Sequence, residues 1–125
     1  MELWRHAWRN GFAKVIPRPG LVALAAALRD DAPELLQEVT TSPPPIPGCD
    51  HVPCTGGCAI SLAGWRGNGL ETVADVEAAF TESCFKADQL LGGPAECRHF
   101  MDWFDDTPRD EMRRALLPEV ELALA

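Results

Sequence analysis

Apolar side chains recur every three or four positions along most of the chain, which is the period of an α-helix. At the start, Trp4, Trp8 and Phe12 fall on one helical face, whereas Arg5 and Arg9 fall on others. This pattern predicts a basic amphipathic helix over residues 2–12. The helix cannot continue far, because two prolines and a glycine follow within the next eight positions.

Two further helices are predicted before the middle of the chain. Residues 21–29 are so rich in alanine and leucine that their propensities favour a helix. Asp31 is placed to cap a third helix, which has Pro33 in its first turn and an apolar stripe that extends to about Thr40. Residues 41–53 contain clustered prolines, which lack amide hydrogens and hold the backbone extended. We therefore expect a proline-rich loop at 41–53.

The longest helix is predicted in the second half of the chain. A short buried helix near residues 58–62 and a glycine-rich turn over residues 64–69 precede it. Thr72 is its expected N-cap, since apolar residues at helical spacing follow directly, and Gly92 is its expected end.

Two helices are predicted after this one. The first begins at Pro94 and ends at Asp105 and Asp106. Thr107 is expected to cap the last helix, with Pro108 in its first position. Pro118 lies inside that last helix and is expected to kink or split it.

The fold class that follows is all-α. No alternation of apolar and polar residues is long enough to predict a sheet, and no internal repeat is visible. At 125 residues the chain has the usual length of one domain. We expect a single helical domain over residues 1–125, formed by an irregular bundle of about six or seven short helices.

Charge is distributed unevenly along this domain. The formal net charge is −8, so nucleic acid is an unfavourable partner. Four basic residues oppose one acidic residue in the first twenty positions, whereas the acidic body, residues 20–125, holds 7 basic and 18 acidic groups. The basic N-terminal helix is therefore expected either to dock on something acidic, including the chain's own C-terminal half, or to present a solvated face.

Apolar run length and cysteine content bear on location. The longest apolar run, residues 21–28, is much shorter than the ~20 residues that span a bilayer, so we expect no membrane partner. Five cysteines cannot all pair within the chain, and no secretion signal is evident. Reduced thiols in the cytoplasm are the simpler expectation.

A cluster of soft metal ligands lies next to the proline-rich loop. Cys49, His51, Cys54 and Cys58 follow the pattern C-x-H-x2-C-x3-C, and zinc prefers thiolate and imidazole ligands. The spacing matches no standard zinc finger, and cysteines buried as small hydrophobic residues in a reduced protein are the simpler explanation. We therefore keep a small zinc-binding protein as the alternative function.

A thiol-dependent enzyme is a further hypothesis. Cys54 or Cys58 would be the nucleophile near the start of a short helix, with His51 or His99 as the base. No known nucleophile signature supports this arrangement. We accordingly expect no catalytic activity, and no small-molecule substrate is identifiable.

The preferred hypothesis is a small cytoplasmic module that binds a protein partner. Four tryptophans are a high content for so short a chain, and tryptophan and arginine are enriched at interface hot spots. Ordinary filling of the core is the competing explanation. The candidate partner-binding residues are Trp4, Arg5, Trp8, Arg9, Trp65, Arg66 and Trp103.

Overall fold

A computed structural model describes residues 1–125 and confirms the all-α class, with 63% of the residues in helices. The α-helices are α1 (Leu3–Ala7), α2 (Ala13–Val15), α3 (Arg18–Asp30), α4 (Ala59–Leu62), α5 (Val73–Leu91), α6 (Arg98–Asp106) and α7 (Arg109–Leu124). A π-helical turn at Trp8–Phe12 joins α1 to α2, and another at Ala63–Gly67 extends α4. We call α1, its π-helical turn and α2 together the first rod, and α4 with its π-helical turn the α4 rod. With α3, α5, α6 and α7 they form an irregular bundle of six helical rods.

The start and end of α5 confirm the capping pattern predicted from the sequence. Thr72 is the N-cap, and its Oγ1 accepts a hydrogen bond from the amide of Asp75 at 3.2 Å. The helix ends at Gly92, which adopts a left-handed conformation with φ of 90°. Local signals therefore define both ends of the longest helix.

The third predicted helix, over residues 33–40, is wrong. This segment consists of turns and bends with a single β-bridge at Leu35. Leu36 donates its amide hydrogen to Gly57 O at 2.8 Å, and Gly57 donates to Glu34 O at 3.0 Å. Asp31 caps the end of α3 instead, in a left-handed conformation. Arg109 at the start of α7 also donates to Leu35 O and to Ala32 O, at 2.7 and 2.8 Å. Partners distant in sequence thus satisfy the backbone groups that a helix would have paired locally.

A two-stranded antiparallel sheet, which the sequence did not predict, lies beside this segment. Strand β1 (Thr41–Ser42) pairs with β2 (Gly56–Gly57). A Cβ atom on Gly57 would lie 2.7 Å from the carbonyl oxygen of Thr40, so only glycine permits this close approach. The proline-rich loop predicted at 41–53 connects the two strands, although its first two residues belong to β1.

The boundaries of the other late elements also differ from the predictions. Residues 94–97 form turns, and α6 begins four positions later than expected, at Arg98. Pro108, not Thr107, is the N-cap of α7, and no side chain caps this helix. Helix α7 passes through Pro118 without a break, where Pro118 is exposed. The glycine-rich stretch around Trp65 continues as a π-helical turn up to Gly67 before the chain leaves the helix.

The core is built around the ring of Phe100 on α6. Its centroid lies 5.3 Å from that of Trp8, 5.4 Å from that of Phe12 and 6.1 Å from that of Phe104. These side chains have no exposed surface. The first rod and α6 therefore pack through aromatic rings, and the main cluster of buried residues extends from Trp4 to Val120. None of the helices combines the length and low polarity needed to cross a bilayer.

Candidate functional site

The tryptophans of the first helix are part of the core. Trp4 is 5% exposed and Trp8 has no exposed surface. The ring of Trp4 stacks on that of Trp103 with centroids 3.7 Å apart and planes 5° apart, and the guanidinium of Arg5 lies 4.6 Å from the Trp4 centroid. Trp4 and Trp8 therefore fill the core, which was the competing explanation for the high tryptophan content. A partner could not reach them without opening the bundle.

The basic residues of the first helix bind the acidic C-terminal helix of the same chain. Arg9 Nε and Nη2 donate to the two carboxylate oxygens of Glu119 at 2.6 and 2.8 Å. Arg5 Nε lies 3.3 Å from the same carboxylate. The Glu119 side chain is only 9% exposed. The internal docking that the charge distribution suggested is therefore present, and Arg5 and Arg9 are engaged within the chain.

This cluster predicts a stability that depends on pH. Hydrogen bonding to Arg9 holds the pKa of Glu119 below its ordinary value of 4.5. A carboxylate with a depressed folded-state pKa stabilises fully above the unfolded pKa, and the contribution is lost as the pH falls through the folded pKa. We expect Glu119→Gln to lower the free energy of unfolding by roughly 1–2 kcal/mol at pH 7, and by much less at pH 3. Urea denaturation at both pH values measures the difference.

Glu121→Gln is the matched control, since Glu121 lies on the same helix, is 54% exposed and is 3.7 Å from Arg29. Its effect should be small at both pH values, because exposed ion pairs contribute little. A loss of stability in Glu119→Gln that is as large at pH 3 as at pH 7 would show that the ionised carboxylate is not what stabilises the contact.

Trp65 and Arg66 form a separate pair at the end of the second π-helical turn. The guanidinium of Arg66 lies 4.2 Å from the Trp65 ring centroid and 4.0 Å from a carboxylate oxygen of Glu34. Trp65 is half-buried beside Val73 and Val76. The pair therefore packs the α4 rod against the start of α5, and only Arg66 is well exposed.

The four predicted zinc ligands are not gathered into a site. Cys54 and Cys58 are buried, and their thiols donate to Gly56 O and to Ser61 Oγ at 3.4 and 3.5 Å. Cys49 is half-buried and His51 is exposed. No group of three or more histidine, cysteine, aspartate or glutamate side chains is arranged to hold a metal ion.

The same two buried thiols are poorly suited to be nucleophiles. Burial raises the pKa of Cys58 to about 11, and burial also raises the pKa of Cys54. Both sulfurs are thus protonated at neutral pH, and a protonated thiol is a poor nucleophile. His99 is exposed and pairs with Glu96 at 3.6 Å. The histidine–cysteine arrangement of the thiol-enzyme hypothesis therefore has no support in these contacts.

A cleft that the sequence did not reveal lies between α5, α6 and the segment 38–40. We call it the acidic cleft; its volume is about 510 Å³. Its apolar lining includes Val39, Phe80, Met101 and three cysteines, Cys58, Cys84 and Cys97. Four carboxylates line it, Glu38, Asp88, Asp102 and Asp105, together with a single basic residue, Arg98. The cleft escaped sequence analysis because its walls come from segments far apart in the chain.

The carboxylates of the acidic cleft have different surroundings. Burial raises the pKa of Asp105, and the nearby carboxylates of Asp106, Asp102 and Glu38 raise it further. Asp105 Oδ1 nevertheless accepts a hydrogen bond from the amide of Glu38 at 2.9 Å, which holds α6 against the segment 38–40. Crowded carboxylates of this kind favour the approach of a cation, because a positive charge relieves their mutual repulsion.

Asp88 has a structural role at the other side of the acidic cleft. Its two carboxylate oxygens accept hydrogen bonds from the amides of Ala95 and Cys97 at 3.0 and 2.8 Å. Although burial opposes ionisation, hydrogen bonds from Cys97 and Ala95 hold the pKa of Asp88 below its ordinary value. Asp88 thereby fixes the turn before α6 against α5.

Comparison of the chain with protein-family models, with curated proteins and with solved structures found no match.

Proposed function

We propose that the protein is a helical interaction module whose acidic cleft binds a basic, amphipathic segment of a protein partner. The observation that carries the proposal is the composition of the cleft, in which an apolar lining is combined with four carboxylates and one arginine. Peptide-binding grooves use the same combination, since apolar side chains supply the affinity and charges select the partner.

The size and chemistry of the lining fit short apolar side chains of such a segment. A volume of about 510 Å³ lies within the range of ~300–1,000 Å³ usual for binding sites. Met101 and Phe80 both line the cleft, and methionine adapts its shape to different partners. Val39, 47% exposed, adds apolar surface at the mouth. These features favour insertion of one or two apolar residues.

The groove extends beyond the acidic cleft along α5. A neighbouring depression is lined by Phe85, Gln89, Gly93 and Pro94, and it shares Asp88 with the acidic cleft. Phe85 is 62% exposed, which is unusual for so large an apolar side chain. A segment longer than the cleft can therefore continue past Asp88 and cover Phe85.

The charge of the whole chain supports a basic partner. The net charge is −8, and the basic residues Arg5 and Arg9 are already paired with Glu119. Approach of a cationic segment is thus favoured at long range, and the attraction decreases with salt. The proposal includes no catalytic step. It keeps the cytoplasmic location expected from the sequence, which is consistent with five unpaired cysteines.

A labelled synthetic amphipathic peptide of leucine and lysine tests the proposal by fluorescence anisotropy. We expect it to bind, and the equivalent leucine–glutamate peptide not to bind. The double variant Asp102→Asn with Asp105→Asn should raise the Kd about tenfold, since exposed charge pairs contribute up to ~1 kcal/mol each. Asparagine keeps the oxygen that accepts the Glu38 amide, so the fold is retained.

The matched control is Asp75→Asn with Glu111→Gln, which removes the same charge from exposed positions outside the acidic cleft. Its Kd should stay close to that of the unmodified protein. An equal loss of affinity in both double variants would assign the binding to overall charge, and absence of binding to any form would refute the proposal. Zinc binding at Cys49, His51, Cys54 and Cys58 stays a separate prediction, for which elemental analysis of protein purified without chelator is the measurement.

A further inference from the structure

We propose that Cys84 and Cys97 form a thiol–disulfide exchange site, which reacts with a small-molecule disulfide and closes into a disulfide within the chain. The inference is independent of partner binding. It starts from the position of the two residues, because both line the acidic cleft and Asp88, one helical turn after Cys84, holds the turn that carries Cys97.

Backbone contacts hold the two cysteines together from separate elements. Cys84 lies in the middle of α5, and Cys97 is the residue directly before α6. Asp88 follows Cys84 by one helical turn and accepts the amide hydrogen of Cys97 at 2.8 Å. The turn that carries Cys97 is thereby fixed against the face of α5 that carries Cys84. Both thiols are thereby presented to the same cleft.

The two sulfurs differ in access. Cys84 is half-buried and faces the open cleft, whereas Cys97 is 4% exposed. A small disulfide entering the cleft therefore reaches Cys84 first. Cys97 is the second thiol, which attacks only after Cys84 has reacted.

The effects of the two thiols on each other's pKa agree with these roles. A hydrogen bond from Cys97 lowers the pKa of Cys84, and this effect exceeds the opposing effects of burial and of the Asp88 charge. The thiolate is the form that attacks a disulfide. The same hydrogen bond to Cys84 raises the pKa of Cys97, as do burial and Asp88. Cys84 therefore loses its proton more readily than Cys97.

The reaction has two steps. The Cys84 thiolate attacks one sulfur of the small disulfide RSSR, so that a Cys84–SR bond forms, the S–S bond of RSSR breaks and one thiolate leaves. Cys97 then attacks the Cys84 sulfur, a Cys84–Cys97 bond forms, and the second thiolate leaves. The protons of the two cysteines end on the two released thiols. The protein dithiol is oxidised by two electrons, and RSSR is reduced to two RSH.

Cys58 lines the same cleft but is a poor competitor. It is 1% exposed, donates its hydrogen to Ser61 Oγ at 3.5 Å, and burial raises its pKa to about 11. Its sulfur therefore stays a thiol when Cys84 reacts. The geometry assigns the new bond to Cys84 and Cys97, and this assignment makes the inference testable.

Oxidised glutathione is the probe for the experiment. The reduced protein is incubated with it, free thiols are blocked at acidic pH, and intact-mass measurement and non-reducing peptide mapping follow. We expect a loss of two hydrogens per chain and a peptide pair joined through Cys84 and Cys97. This measurement uses the unmodified chain, so it does not depend on any variant folding.

Two variants separate the steps. Cys97→Ser should stop the reaction at one glutathionyl group on Cys84. Cys84→Ser should react at roughly one tenth of the normal rate or below it. Cys54→Ser is the control, because Cys54 lies outside the cleft among Val73 and Val76, and it should behave as the unmodified protein. Modification confined to Cys49, a disulfide to Cys58, or Cys84→Ser oxidising at the normal rate would each overturn the inference.

Discussion

Phe100→Ala is expected to lower the free energy of unfolding by about 3–5 kcal/mol. Phe100 has no exposed surface, and its ring lies within 6.1 Å, between centroids, of four other aromatic rings. Alanine removes the apolar contacts and leaves a cavity between the first rod and α6. The neighbouring rings are themselves fixed by packing, so the cavity cannot close fully.

Phe85→Ala is the matched control, because it makes the same chemical change at a side chain that is 62% exposed. Its effect should be within ~0.5 kcal/mol of zero. Urea denaturation followed by circular dichroism compares the two, and Phe100→Leu gives a measurable intermediate if Phe100→Ala does not fold. Similar losses in Phe85→Ala and Phe100→Ala would contradict the placement of Phe100 at the centre of the core.

The parts of the fold that the sequence predicted are those specified by neighbouring residues. Helix α5 has a polar cap at Thr72, apolar residues at helical spacing, and a glycine at its end, and all three signals lie within the element itself. The first rod was predicted from the helical spacing of its apolar residues, although it continues past residue 12 to Val15. Its π-helical turn was missed, since an extra residue in one turn hardly changes the apolar pattern.

The segment 33–40 shows what the sequence could not predict. Its apolar residues have helical spacing, yet Gly57, Arg109 and Asp105 supply hydrogen-bonding partners from elsewhere in the chain. The spacing of apolar residues indicates which side chains are buried. It does not indicate which backbone groups elsewhere in the chain can form hydrogen bonds with the segment. The wrong helix and the missed sheet have this single cause.

The candidate site was hidden for a related reason. The sequence drew attention to cysteines close together in the chain, Cys49, Cys54 and Cys58. Cys84 and Cys97 lie 13 positions apart and line one cleft only because the turn before α6 is held against α5. The charge of the first helix was more informative. It anticipated docking on an acidic element, although only the structure identifies Glu119 as the residue that Arg9 binds.

The second large effect is expected from a methyl group added where two backbones meet. Gly67→Ala should lower the free energy of unfolding by about 3 kcal/mol. A Cβ atom on Gly67 would lie 2.5 Å from the amide nitrogen of Gly20 and 2.6 Å from the carbonyl oxygen of Pro19. These are backbone atoms at the start of α3, and they cannot rotate away as a side chain would. Relief of the overlap requires the α4 rod and α3 to separate.

Gly64→Ala provides a control of the same chemical type in the same π-helical turn. Its Cβ would meet only side chains, Leu70 Cδ1 at 3.4 Å and Ala79 Cβ at 3.9 Å, which are ordinary contacts. Because alanine is favoured over glycine in a helix by ~0.5–1 kcal/mol, Gly64→Ala should leave stability unchanged or raise it. Helical propensity alone predicts a gain for both variants. Urea denaturation therefore separates the two explanations, and a Gly67→Ala protein as stable as Gly64→Ala would show that α3 and the α4 rod do not approach each other this closely.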